Sequence, residues 1–225
     1  MTTLIYVRHG EAEGNLKRHF HGFYNSALTP NGREQIKRAA ARLADTHIDA
    51  IYSSDLTRAY ETALEIAKGR ELTVQIDERF REINGGQWEN VPWDDLPVKF
   101  SDSYRDWLYE PYKLQMPGGE SMADFSSRLI RATVEIADAH PSQTVCIATH
   151  GTAIRVLLCY FYGWPLERLN DVRWCDNAAI TIVEYENGHF TVRIDGDNGH
   201  LEDISTLATQ DWWRELPSSE EKPKK

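Results

Sequence analysis

The chain has 225 residues, and its 41% hydrophobic, 11% aromatic and 27% charged content excludes a disordered or fibrous protein. With 35 acidic against 25 basic residues, the formal net charge is -10, which would repel a nucleic acid. We therefore expect no nucleic-acid partner, and any anion site must be a local cluster of basic groups.

The sequence favours a soluble cytoplasmic protein with no membrane contact. No basic leader with an apolar stretch precedes the first predicted strand, and no apolar run approaches the roughly 20 residues that span a bilayer. The three cysteines, Cys146, Cys159 and Cys175, lack metal-ligand spacing, so we expect them to be reduced and structural. A homodimer is compatible with this sequence.

The first predicted elements alternate between strands and helices. Residues 3–7 are apolar and β-branched, which predicts a buried strand running into Arg8-His9-Gly10. Thr29 and Pro30 have the residue types that begin a helix. Residues 50–52 predict a second strand, and the helix after it carries Arg58 in its first turn.

A long irregular stretch interrupts this alternation. Residues 72–76 predict a third strand, and Glu82 stands at the entrance to residues 83–120. Loops of that length inside a domain are usually functional lids or contain local helices. We therefore predict a partly helical cap insertion at about 83–120.

The remaining elements complete one α/β domain. Ser121 begins a predicted helix, residues 144–149 predict a buried strand that ends at His150-Gly151, and Asn187-Gly188 predicts a hairpin. The predicted fold is an α/β three-layer sandwich: a mostly parallel sheet with an antiparallel edge strand, and helices on both faces. We expect a single domain over residues 1–216 and a flexible polar tail over 217–225.

Two predicted strands run into the same dipeptide, His-Gly, once at His9 and once at His150. The carboxyl ends of parallel strands share one edge of a sheet, where ligands bind, and Arg58 and Glu82 follow strands at that edge. One Arg-His-Gly tripeptide is a weak signal, because a strand-end turn with a structural histidine would look the same. The repeated motif indicates a shared site.

The sequence resembles the histidine phosphatase superfamily, which includes the cofactor-dependent phosphoglycerate mutases, from Leu4 to about Tyr185. The matching pieces are Arg8-His9-Gly10-Glu11 with Asn15, Leu28-Thr29 with Gly32, Ser53-Ser54-Asp55-Leu56 with Arg58-Ala59, Arg81-Glu82-Ile83, Gly86 with Trp88-Glu89, Pro117-Gly118-Gly119-Glu120-Ser121, and His150-Gly151. The proline-glycine segment is similar to the branch with alpha-ribazole phosphatase and the broad-specificity phosphatases. The departures are Ala12 for threonine, His21 for glutamine and Asn90 for glycine.

The resemblance implies that His9 is the nucleophile and becomes a phosphohistidine, while Arg8, Arg58 and His150 hold the phosphoryl oxygens. Planar guanidinium groups suit phosphate, and nearby anionic charge would favour protonated His150. Glu82 becomes the general acid that protonates the leaving alcohol. Asn15 and Gly151 are the further phosphate contacts that it implies, and it implies no cofactor.

Alternative interpretations stay open for these residues. Glu82 could instead form a salt bridge with Arg79 or Arg81, and the cap aromatics could pack the cap rather than contact substrate. A metal site is disfavoured, because no His-Glu-x-x-His pattern occurs and two arginines would repel a cation, so we expect no metal requirement.

The class of activity also has alternatives. A mutase must hold a second charged group of its substrate, yet residues 83–120 contain three basic residues against seven acidic ones. Hydrolysis of a small phosphorylated metabolite is therefore favoured over mutase-type phosphoryl transfer. A catalytically silent phospho-ligand binder would not need both His9 and Glu82.

Overall fold

A six-stranded mixed sheet forms the middle of the protein in a computed structural model that describes residues 1–210. Its strands are β1 (Thr2–Arg8), β2 (Ala50–Ser53), β3 (Val74–Ile76), β4 (Thr144–Thr149), β5 (Ile180–Glu186) and β6 (His189–Asp197). Their spatial order is β3-β2-β4-β1-β5-β6. The first four are mutually parallel, and the hairpin β5–β6 adds two antiparallel strands at one edge. The predicted fold class is confirmed.

Seven α-helices surround the sheet within the described residues: α1 (Glu13–Lys17), α2 (Pro30–Arg42), α3 (Thr57–Ala67), α4 (Leu96–Lys99), α5 (Ser101–Tyr109), α6 (Met122–Ala139) and α7 (Gly151–Phe161). Alternate side chains of β1 enter two separate cores, Leu4 and Tyr6 on the α6–α7 side and Ile5 and Val7 on the α2–α3 side. Each fully buried aliphatic side chain contributes about 1.5–3 kcal/mol. The buried centre strand therefore fixes where His9 emerges.

Local sequence signals set most of these boundaries. The Thr29 hydroxyl accepts a hydrogen bond from the Gly32 amide at 3.0 Å, and Ser121 does the same for Asp124 at 3.0 Å. Asn187 and Gly188 have φ of 51° and 81°, the left-handed values that a two-residue hairpin turn needs. The third strand is shorter than predicted, because only residues 74–76 pair with β2.

The region between β3 and α6 is a cap of short helices centred on a buried tryptophan. Trp88 is fully buried, and its ring lies 5.5 Å from that of Phe20 and 6.0 Å from that of Trp107 between centroids. Phe20 belongs to the loop between α1 and α2, so aromatic packing joins the cap to that loop. The predicted tail at 217–225 lies outside the described residues.

None of the helices within residues 1–210 combines the length and apolar composition that a bilayer crossing requires. The three cysteines are buried and unbridged.

Candidate active site

A pocket opens at the carboxyl ends of β1 and β4, where the sequence predicts a site. Arg8, His9, Asn15, Glu82 and Gly151 line it. The His150 ring lies 5.2 Å from the His9 ring between centroids, and both are buried. Arg58 lies in the first turn of α3, fully buried, and its charge acts on both histidines. The structure therefore brings all seven predicted site residues together.

His9 is held in one tautomer by its own backbone. Its Nδ1 lies 2.7 Å from the Gly10 carbonyl oxygen, and a carbonyl can only accept a hydrogen bond. Nδ1 therefore carries the proton, and Nε2 keeps its lone pair. Burial lowers the pKa of His9 well below its usual value, and the charges of Arg58 and Arg8 lower it further. The neutral, nucleophilic form prevails at neutral pH.

Backbone carbonyls hold the guanidinium groups of the two arginines. Arg8 donates from Nη1 to the Cys175 carbonyl at 2.6 Å. Arg58 donates to the carbonyls of Tyr24, His21 and Gly22 at 3.0, 2.8 and 2.7 Å, which fixes the loop beside His9.

In both residues the Nε atom is buried and has no hydrogen-bond partner among residues 1–210. Burial lowers the pKa of Arg58 to about 10, so it stays charged at neutral pH.

The protein groups around His150 favour its neutral form. Its Nε2 lies 3.0 Å from the Ser54 hydroxyl, and its Nδ1 is buried without a hydrogen-bond partner in the described part of the chain. Burial lowers the pKa of His150 well below its usual value, and the nearby charge of Arg58 lowers it further. That an anion bound beside His150 favours its protonated form stays a prediction, since the charged groups that act on the ring, Arg58 and Arg128, are cationic.

Glu82 faces the pocket and is not in a salt bridge with its neighbours. Its two carboxyl oxygens accept hydrogen bonds from the backbone amides of Ile83 at 2.8 Å and Thr152 at 3.0 Å. Arg79 pairs with Asp77, and Arg81 with Asp55, so the alternative salt-bridge interpretation is wrong. Burial raises the pKa of Glu82 above its usual value in spite of those two amides. A raised pKa suits a proton donor.

The two glycines after the histidines have different reasons for lacking a side chain. A Cβ at Gly151 would lie 3.1 Å from Arg8 Nε and 3.2 Å from Trp174, so glycine leaves room for the arginine. A Cβ at Gly10 would lie 2.5 Å from the Gly32 carbonyl oxygen. The Gly10 amide lies 3.3 Å from the Thr62 hydroxyl and is not free to bind an anion.

The pocket also contains residues that sequence reasoning did not place there: Arg18, His19, Phe20, His21, Thr152 and Trp174. His21 is the most central, since its ring centroid lies 5.8 Å from that of His9. A Cβ at Gly14 would lie 2.4 Å from the His21 ring, so this glycine creates the space for it. The sequence signal for His21 was its departure from the glutamine that is usual in the family.

From the cap, Trp93 and Trp107 line the pocket, whereas Trp88 packs the interior.

No group of three or more His, Cys, Asp or Glu side chains is arranged to hold a metal ion within residues 1–210.

Comparison with known proteins identifies the family. The model of the histidine phosphatase superfamily (branch 1) matches residues 4–198. The chain belongs to the histidine phosphatase superfamily. Phosphoserine phosphatase 1 of Hydrogenobacter thermophilus is 35% identical over 189 residues, which cover 83% of this chain and 88% of that protein. Phosphoglycerate mutase-like protein 4 of Arabidopsis thaliana is 31% identical over 208 residues, 91% of this chain and 89% of that one.

A solved structure supports the same assignment. Bacillus stearothermophilus YhfR superposes with a TM-score of 0.86 at 34% identity, over 89% of this chain and all of that one (100%). The histidine phosphatase assignment from sequence is thus confirmed, and the chain is a phosphatase of this superfamily.

Proposed function

We propose that this protein hydrolyses a small phosphomonoester through a phosphohistidine on His9. The observation that carries the proposal is a set of three buried nitrogens of the site that have no hydrogen-bond partner within residues 1–210: Arg8 Nε, Arg58 Nε and His150 Nδ1. Buried polar atoms are nearly always hydrogen-bonded, so several orphans around one nucleophile indicate a ligand that supplies acceptors. A phosphoryl group has three such oxygens and the charge to match two guanidinium groups.

In the first step, the lone pair of His9 Nε2 attacks phosphorus, and the bond from phosphorus to the ester oxygen breaks. Arg8 and Arg58 stabilise the negative charge on the three equatorial oxygens as the group transfers. Glu82 gives its proton to the departing oxygen, which leaves as an alcohol. The products are a phosphohistidine and an ionised Glu82.

In the second step, water attacks the phosphorus and the bond to Nε2 breaks. Ionised Glu82 takes a proton from that water, which restores its acid form, and inorganic phosphate leaves. His9 returns to the neutral tautomer that the Gly10 carbonyl holds. The same carboxyl thus serves as acid and then as base.

The substrate class follows from the pocket wall and from the relatives. Trp93 and Trp107 give the pocket an apolar surface. Arg18, His19 and His21, whose side chains carry nitrogen, also line it. Phosphoserine, which gives the Hydrogenobacter relative its name, is therefore the first substrate to test. Mutase-type transfer stays the second candidate, because another relative carries that name.

A panel of phosphomonoesters separates these options. Purified protein is assayed for phosphate release from phosphoserine, alpha-ribazole phosphate, phosphoglycerate and an aryl phosphate. Transfer between the hydroxyls of phosphoglycerate is measured with and without bisphosphoglycerate. We expect hydrolysis to exceed transfer on every substrate. If transfer dominates, the protein is a mutase rather than a hydrolase. If His9→Ala turns over substrate at the wild-type rate, His9 is not the nucleophile.

A further inference from the structure

The loop of residues 175–178, which precedes β5, contacts three parts of the candidate site. The Cys175 carbonyl accepts a hydrogen bond from Arg8 Nη1 at 2.6 Å. The Ala178 amide donates to the His9 carbonyl at 3.2 Å, and Ala178 has a φ of 59°, a left-handed value that costs energy for a residue with a Cβ. A strained backbone against a nucleophile is a common mark of a functional loop.

Asn177 is the residue of this loop that reaches two pocket groups through its side chain. It is 1% exposed, and its Nδ2 lies 3.1 Å from the His9 carbonyl oxygen and 3.3 Å from Asn15 Oδ1. Its own Oδ1 is buried with no hydrogen-bond partner among residues 1–210. A buried orphan acceptor is a cost to stability, so the amide has a role other than stabilising the fold.

The orientation of both amides follows from groups whose roles are fixed. The Ala12 backbone amide, which can only donate, lies 3.0 Å from the inner side-chain atom of Asn15, so that atom is the oxygen. The Asn177 atom facing this oxygen and the His9 carbonyl must in turn be the NH2 group. The NH2 group of Asn15 is therefore on the side opposite these two donors. Asn15 itself lines the pocket.

We propose that Asn177 is a positioning residue that holds the Asn15 amide with its NH2 group toward the phosphoryl site. This inference rests on the proposed function, since it takes Asn15 as a phosphate donor. Without Asn177, the Ala12 amide is the one donor within residues 1–210 that still bonds Asn15 Oδ1, and a rotated amide would present its oxygen to an anion. Phosphate binding would weaken while His9 keeps the hydrogen bond from its Nδ1 to the Gly10 carbonyl, so its attacking nitrogen, Nε2, stays available.

A double-mutant cycle tests this coupling with orthovanadate, which mimics the transferring phosphoryl group, as the probe. Asn15→Ala and Asn177→Ala are each expected to weaken vanadate inhibition and raise KM by about tenfold, the effect of losing one hydrogen bond to a charged group. The double variant should be no weaker than Asn15→Ala alone. A residue that only supports the fold would give multiplied losses, and that result would overturn the inference.

Two further variants keep the result unambiguous. Asn177→Asp keeps the side-chain shape but, when ionised, offers only acceptors to Asn15. If Asn177→Ala has a lowered melting temperature, the double-mutant cycle is repeated with Asn177→Asp in its place. Asn170→Ala is the matched control, because Asn170 also donates to a backbone carbonyl, that of Leu108 at 2.8 Å, but does not line the pocket. It should leave vanadate inhibition unchanged.

The cycle also separates this inference from the proposed function. If His9→Ala is inactive while Asn15→Ala keeps wild-type KM and vanadate inhibition, the phosphohistidine route stands and the role of Asn177 falls. If His9→Ala is active at the wild-type rate, the proposed function itself falls.

Discussion

At the scale of single residues, the same burial acts in opposite directions on the pKa of the nucleophile and on the pKa of the proton donor. Burial lowers the pKa of His9, because the imidazolium form is charged, and raises the pKa of Glu82, because the carboxylate form is charged. Each group is thereby shifted toward its neutral form. Neutral His9 can attack and neutral Glu82 can donate, so burial prepares both groups.

The first prediction concerns the pH profile of kcat/KM. Activity needs deprotonated His9, which is lost only as pH falls through its lowered pKa, and protonated Glu82, which is lost as pH rises through its raised pKa. We expect an acid limb below the usual histidine range and an alkaline limb that disappears in Glu82→Gln, since glutamine cannot ionise. An alkaline limb that persists unchanged in this variant would assign it to another group.

The leaving group offers a second readout of the same residue. Glu82→Gln should lose on the order of 10²–10⁴-fold in kcat/KM, which reports the steps up to the phosphohistidine, on an alkyl phosphate such as phosphoserine, the usual contribution of a general acid. On an aryl phosphate the loss should be far smaller, because a phenolate leaves without a proton. Equal losses on both esters would argue that Glu82 does not protonate the leaving oxygen.

At the scale of elements, helix α6 positions the candidate acid through one arginine. Arg128 donates to the backbone carbonyls of Arg79, Arg81 and Glu82 at 2.6, 3.0 and 2.8 Å. It also binds the Glu120 carboxylate at 2.6 and 2.9 Å. Its planar group thus ties both ends of the cap insertion to the helix, and lysine has no fork that could reach these acceptors together.

The prediction at this scale is that Arg128→Lys lowers kcat on alkyl phosphates and lowers the melting temperature. The change leaves Glu120 and three carbonyls poorly paired in a mostly buried position. We expect the free energy of unfolding to fall by about 3 kcal/mol, the lower end for breaking a buried ion pair. Arg131→Lys is the control, because Arg131 is exposed on the same helix. If Arg128→Lys melts early but keeps its kcat, the arginine stabilises the cap without positioning Glu82.

At the scale of the whole molecule, a chain with net charge -10 concentrates positive groups at one edge of its sheet. Arg8 and Arg58 are buried there, and a low-dielectric surrounding strengthens their attraction for a phosphoryl group against the general field. The protein can therefore be acidic and bind an anion. Backbone carbonyls accept hydrogen bonds from both guanidinium groups.

The sequence was sufficient for the sheet, the helix starts and the set of groups around His9, since strand-end motifs and capping residues are local signals. It could not predict Arg128 or Asn177, whose partners are backbone carbonyls and amides brought together by the tertiary fold. It also did not reveal that burial and Arg58 lower the pKa of His150, because burial is a property of the folded pocket. Contacts between a side chain and distant backbone groups leave no pattern in a single sequence.

The most direct test of the account is to detect the covalent intermediate on His9. Glu82→Gln is mixed with an aryl phosphate, quenched in base within the first turnover, and digested for mass spectrometry, because phosphohistidine survives base but not acid. We predict one added phosphoryl group on the peptide that contains His9, and none in His9→Ala. The account would be contradicted if the ester were hydrolysed at the full rate while His9 carried no phosphoryl group at any quench time. A phosphoryl group found on another residue would also contradict it.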